Sequence, residues 1–296
     1  MKFGDLEIHL LSDGIVHVDP GGMFGLVPRA LYGAYTSVDD ANLIPQSLTC
    51  MLVRSEGKTI VIDTGLGPKL TDKEVVNWGV DRSRGDLLAH LARLGVMPED
   101  VDHVINTHLH WDHCGGNTQA SGDAVTARFP NATYWVQRME WADASHPDAR
   151  TRGTYFDANF APIMRSGQFK LMHGDTTFDS HIRCVVTPGH TRGHQSILLE
   201  SGDWRGMFLA DMASFSVHML RTAWLTAYDV LPLENIQTKM RWQRWAVDTG
   251  AWLFFQHDPR MPVARLGEAG GRLTLFDIQD AEALKNEIPT LKPLPG

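Results

Sequence analysis

The chain has 296 residues, 43% of them hydrophobic and 21% charged, with a formal net charge of −8 at pH 7. That composition is ordinary for a globular protein with material for a sizeable core, and the acidic balance argues against a protein built to hold nucleic acid. No segment reaches the roughly 18 continuous apolar residues of a membrane span.

In chain order, Leu6 to Leu11 and Ile15 to Val18 read as strands around a Ser12-Asp13-Gly14 turn. Leu48 to Arg54 and Thr59 to Ile62, joined through Glu56-Gly57, read as a hairpin ending at Asp63-Thr64-Gly65. Leu87, Leu88, Leu91 and Leu94 predict a helix over 86–94, stopped by Gly95. Val101 to Thr107 reads as a strand, Thr133 to Gln137 as another, and a helix is expected from near Arg138. Residues 145–170 are irregular, polar and aromatic, as an insertion covering a site would be.

Strands follow at Ile182 to Thr187, Gln195 to Leu199, Met207 to Leu209 and finally Trp252 to Gln256. Between the last two, Leu233 to Val247 is an amphipathic helix whose Ile236, Met240, Trp242 and Trp245 suit core or dimer contact. Strand groups alternating with helices predict mixed sheets covered by helices. No repeat or linker divides the chain, so residues 1–296 are read as one domain. Residues 1–47 form an N-terminal extension, either a flap (with Met23 to Val27 its apolar part) or a contact in a homodimer. Lys2, Asp5 and Glu7 argue against a signal peptide, and the three scattered cysteines Cys50, Cys114 and Cys184 suit a reducing compartment. A cytoplasmic location is therefore expected.

His108-Leu109-His110-Trp111-Asp112-His113 places three imidazoles and a carboxylate directly after an apolar strand. These are ligands for zinc and neighbouring divalent metals, and packing alone does not explain three crowded histidines. On an extended segment His108 and His110 share a face, which leaves Asp112 and His113 to turn towards a second ion. Three later strands end in the same residue types: His190 after Thr187-Pro188-Gly189, Asp211 after Leu209-Ala210, and His257 after Phe255-Gln256. Taken singly, each would be an ordinary histidine or turn aspartate; together they suggest loops gathered at one rim of a scaffold.

These motifs, with Ile62-Asp63-Thr64-Gly65, Gly115-Gly116-Asn117 and His190-Thr191-Arg192-Gly193-His194, resemble the metallo-β-lactamase superfamily in the family's own order over about residues 48–258. Within it the chain is similar to N-acyl homoserine lactonases, and methyl-parathion-hydrolase-like enzymes share much of the layout. The resemblance implies an α+β fold, an αββα sandwich of two mixed sheets flanked by helices. It implies two divalent metal ions, zinc first, with iron, cobalt or manganese also compatible with the donors. His108, His110 and His190 would hold one ion, Asp112, His113 and His257 the other, with Asp211 between ions roughly 3.5–4 Å apart.

The implied reaction is hydrolysis of a small-molecule lactone or ester by a metal-bridging hydroxide, with Asp112 and Asp211 catalytic. Organophosphate or aryl-ester hydrolysis is the alternative on the same centre. Asp63 is expected to support the metal loop, and Thr191 and His194 to shape the ligand loops. The chain departs from those lactonases at Ser214, where they carry a tyrosine that contacts the substrate carbonyl. Tyr228 and His218 are the nearby replacements.

Overall fold

The computed structural model describes residues 1–291. Its centre is a pair of seven-stranded mixed sheets. The first runs in the order Lys2–Phe3, Leu6–Val18, Ile44–Ser55, Lys58–Ile62, His103–Ile105, Thr133–Gln137 and Phe169–Met172. Its first four strands pair antiparallel and its last four pair parallel. The second runs Thr176–Thr177, Ile182–Val186, Gln195–Ser201, Trp204–Phe208, Trp252–Phe254, Val263–Ala269 and Arg272–Asp277, with one parallel pair between Trp204–Phe208 and Trp252–Phe254.

Alternation along the strands explains why the sheets stack. Leu6, Ile8, Leu10, Met51, Val53, Ile60 and Ile62 point into one buried cluster with Ile182, Cys184, Ile197, Leu199, Phe208 and Phe254 from the other sheet. The intervening residues face outward and are covered by helices. Leu87 and Leu91 of the helix Leu87–Arg93 pack on Leu11, Cys50, Leu52 and Val61. Trp242 and Ala246 of the helix Pro232–Thr249 pack on Leu198, Met207 and Leu253. The result is the helix–sheet–sheet–helix sandwich. Among the described residues, no helix is long and apolar enough to cross a membrane.

Several expectations change in detail. Leu6 to Val18 is one strand, and Ser12-Asp13-Gly14 is a bulge in its pairing with Ile44–Ser55. Buried Asp13 holds that bulge by accepting from Gly67 N at 2.9 Å and pairing with Arg82 at 2.7 Å. The hairpin at Glu56-Gly57 forms as expected, with Ser55 opposite Lys58 and both turn residues at positive φ. Residues 145–170 contain the short helix Ala161–Arg165, and the strand Phe169–Met172 begins where they end. The strands after residue 258 complete the second sheet.

Candidate metal centre

All seven candidate ligands lie where strands of the two sheets end, and all are buried. The strand His103–Ile105 delivers the loop 106–110 and the short helix Trp111–Cys114. Asp63, held at φ 53° beyond the strand Lys58–Ile62, fixes that loop. Its carboxylate accepts from Thr107 N at 2.8 Å and Thr107 Oγ1 at 2.7 Å, and from His113 Nδ1 at 3.0 Å. Close backbone contact also demands glycine: a Cβ at Gly116 would lie 2.2 Å from Thr64 O.

Two groups of ligand atoms result: His108, His110, His190 and Asp211, and Asp112, His113 and His257. The tautomers follow from the far side of each ring. His113 Nδ1 donates to Asp63 and His257 Nδ1 donates to Ser47 O at 2.7 Å, which turns both Nε2 atoms towards the centre. Burial opposes a charge on His113, but the Asp112 and Asp211 carboxylates raise its pKa well above the ordinary value, so that Nε2 holds a proton when no cation is there. Those two nitrogens face each other at 3.2 Å. His190 Nδ1 likewise donates to Asp229 Oδ1 at 3.0 Å, turning its Nε2 to within 3.0 Å of His110 Nδ1. His108 Nε2 is buried with no hydrogen-bond partner and stands 3.8 Å from Asp211 Oδ2. Ring nitrogens and a carboxylate crowded this closely require positive charge among them, which protons on His113 and His190 or a pair of metal ions supply. The donor set therefore fits a pair of divalent metals.

Asp211 touches both groups. Its Oδ2 is 3.2 Å from His190 Nε2 and 3.2 Å from His113 Nε2, and its Oδ1 is 3.2 Å from His257 Nε2. Burial would raise its pKa, but His257, His190 and His113 hold it well below the carboxylate range. Burial and neighbouring imidazoles push His108 and His110 well below the ordinary histidine value, so both are neutral bases. Asp112 Oδ2 is 3.8 Å from His113 Nε2 and 3.6 Å from His257 Nε2, and accepts from Gln46 at 3.2 Å.

A cavity of about 220 Å³ opens above Asp112 and Asp211, walled by Val18, Met23, Trp111, Gly153, Thr154, Thr226 and Tyr228. The insertion therefore contributes a wall, and so does the 20–24 segment. Of the two suggested tyrosine replacements, Tyr228 lines this cavity; His218 is buried behind it, with Nδ1 accepting from Phe215 N at 3.3 Å. Ser214 also lines the cavity, and its carbonyl accepts from His257 N at 3.2 Å. His194 supports Asp211 by accepting from its backbone N at 3.1 Å, while Thr191 donates to Glu140. Cys114 belongs to neither group; its thiol donates to Leu109 O.

Sequence reading did not single out Asp229, Glu140 or Gln46. Each acts across a long separation in the chain, and none sits in a recognisable motif.

Residues 44–238 match the family described as the metallo-beta-lactamase superfamily. The chain is 30% identical over 188 residues to the N-acyl homoserine lactonase AttM of Azorhizobium caulinodans, covering 62% of this chain and 68% of that one. A solved structure of a probable metal-dependent hydrolase from Staphylococcus aureus is 30% identical and superimposes with a TM-score of 0.85, covering 94% and 99% of the two chains. AidC, a dizinc quorum-quenching lactonase solved with a product, shares the fold at a TM-score of 0.75 and 21% identity, over 94% and 96% of the chains.

Proposed function

The chain belongs to the metallo-beta-lactamase superfamily and is a lactonase-like metal hydrolase; from that premise we propose that it opens N-acyl homoserine lactones at a two-metal centre. The observation that carries this reading is the convergence of imidazole nitrogens from two groups on the single carboxylate of Asp211. His108, His110 and His190 would hold one ion and Asp112, His113 and His257 the other, with Asp211 shared. Two such cations, when bound, acidify water and polarise a substrate carbonyl. The donors fit zinc, and also iron, cobalt or manganese.

The chain's own residues do the rest. Asp112 borders the cavity with one oxygen held by Gln46, so it can take the proton released by the attacking water and return it to the leaving ring alcohol. Asp211 holds both halves of the centre at fixed separation. Val18, Met23 and Trp111 give the cavity apolar walls suited to an acyl group, and Tyr228 lines it beside Asp112. We also propose that the domain read from sequence over 1–296, of which 292–296 lie outside the described residues, is a single one, because Phe3 and Ile288 share the same buried cluster.

The test is acid release from a panel of lactones beside chromogenic phosphotriesters, with metal content measured on the same samples. Lactone turnover with two ions per chain is expected. Phosphotriester turnover alone, with a full metal complement, would overturn the lactone reading. Asp211→Ala should lose activity and metal pairing together; a fully active variant with two ions would contradict a shared role for Asp211.

A further inference from the structure

The group formed by His108, His110 and His190 draws its ligands from both sheets. Its quality therefore depends on how the two ligand loops are spaced. Glu140, on the helix Arg138–Ser145, stands between them and is wholly buried. Its Oε1 accepts from Leu109 N at 2.9 Å and from the Tyr155 hydroxyl at 3.0 Å, and its Oε2 accepts from Thr191 Oγ1 at 2.5 Å. Leu109 lies between two of the histidines, and Thr191 directly follows the third. The Tyr155 ring packs on the His110 ring with centroids 4.9 Å apart.

The backbone repeats the contact. A Cβ at Gly193 would fall 2.2 Å from Glu140 N, so the His190 loop rests directly on the first turn of this helix. Burying a carboxylate is costly unless it is well hydrogen-bonded, and three donors, one from each ligand loop and one from the insertion, meet that condition here. An apolar side chain in its place would orphan the Leu109 N–H. Asp63, Asp229 and Ser47 each bond one histidine ring; Glu140 instead ties one loop to the other. Among the described residues, no hydrogen bond joins it to Asp112, His113 or His257.

We propose that Glu140 is a positioning residue that sets the spacing between the His108–His110 segment and the His190 loop, and so the metal affinity of that one group. The proposal rests on the two-metal reading above. It makes a selective claim, because the Asp112, His113 and His257 group lies outside the brace.

The experiment compares wild type, Glu140→Ala, Glu140→Gln and Thr191→Val, each loaded with zinc. Chelator competition gives the affinity of each ion, and anomalous diffraction at the zinc edge gives the occupancy of each group. Thermal unfolding checks that the variants remain folded. Glu140→Ala should weaken the ion at His108, His110 and His190 by ~10–100-fold and leave the other unchanged. Glu140→Gln should restore most of that affinity, since its Oε1 can still accept from Leu109 and Tyr155 while its Nε2 donates to Thr191 Oγ1. Thr191→Val should give a smaller loss at the same group.

A folded Glu140→Ala that holds both ions as tightly as wild type, or weakens both equally, would overturn the proposal. If that variant does not fold, Thr191→Val decides, and unchanged affinity at both groups would overturn it. A wild-type chain that takes up no metal would instead remove the two-metal reading beneath it.

Discussion

At the scale of single residues, the cavity presents one phenol beside the candidate ligands. Tyr228 is half-exposed, and a Cβ at Gly22 would lie 2.5 Å from its hydroxyl, so the glycine leaves room for that ring. Burial, and then the Asp112 carboxylate, raise its pKa, so it remains a neutral O–H donor near pH 7. Losing one neutral hydrogen bond costs about 0.5–1.5 kcal/mol, or roughly 2–12-fold. Tyr228→Phe should therefore lower kcat/KM for lactones within that range, mainly through KM, with metal content unchanged. An unchanged kcat/KM would show that the hydroxyl does not meet the substrate. The candidate ligands were readable from sequence because His-x-His-x-Asp-His is local and its chemistry is dense. Asp229 was not, since nothing near it distinguishes a carboxylate that orients His190 from any other turn aspartate. Ser214 drew attention to this stretch, but which side chains line the cavity depends on the path of the segment 213–231, which includes the helix Ser216–Leu220.

At the scale of elements, the segment 20–24 illustrates how a local reading and a tertiary one combine. Its helix Pro20–Phe24 starts at Asp19, whose carboxylate accepts from Gly21 N at 2.7 Å. Phe24 turns inward to stack on Tyr32 at 4.6 Å and pack beside Phe215, while Met23 faces the cavity. Deleting the segment would therefore remove a buried aromatic as well as a cavity wall. Met23→Ala keeps the aromatic in place: it should raise KM for long-chain lactones more than for short ones, alongside the loss of thermal stability expected when a buried methionine is truncated. Equal loss at all chain lengths, measured across an acyl series, would remove Met23 from the acyl wall. The same split between local and tertiary signals explains the bulge at Ser12-Asp13-Gly14. A polar pair before glycine looks like a hairpin turn in sequence, but buried Asp13 is spoken for by Arg82, Gly67 and Leu87 from the neighbouring loops. Strands written in β-branched and aromatic residues, such as Thr133–Gln137 with its Tyr134-Trp135-Val136 run, needed no such context.

At the scale of the whole molecule, the first and last described segments close the sandwich together. Ile278, Ala281, Leu284 and Ile288 join Phe3, Leu6, Ile8 and Leu10 in the central cluster. The polar clasp over them is His9, whose Nδ1 donates to Glu287 at 2.8 Å and whose Nε2 donates to Glu7 at 2.8 Å. Arg54 also approaches Glu7, and the Met1 amine lies nearby, donating to Ile8 O. The Glu287 hydrogen bond, opposed by burial and aided by Glu7, raises the His9 pKa above its ordinary 6.5. A raised folded-state pKa means that the folded chain binds this proton more tightly than the unfolded one. The clasp therefore contributes fully below pH 6.5 and fades as the pH rises through the folded value. Leu291 N donates to Pro259 O at 2.7 Å, two residues beyond His257, so loosening here reaches the loop that carries a candidate ligand. Wild type should lose thermal stability between pH 6 and 8.5, with faster hydrogen exchange over 278–291 at the upper end. Glu287→Gln should be less stable at pH 6 and show a flatter pH dependence. Parallel stability profiles for the two proteins would mean that His9 does not hold the segment.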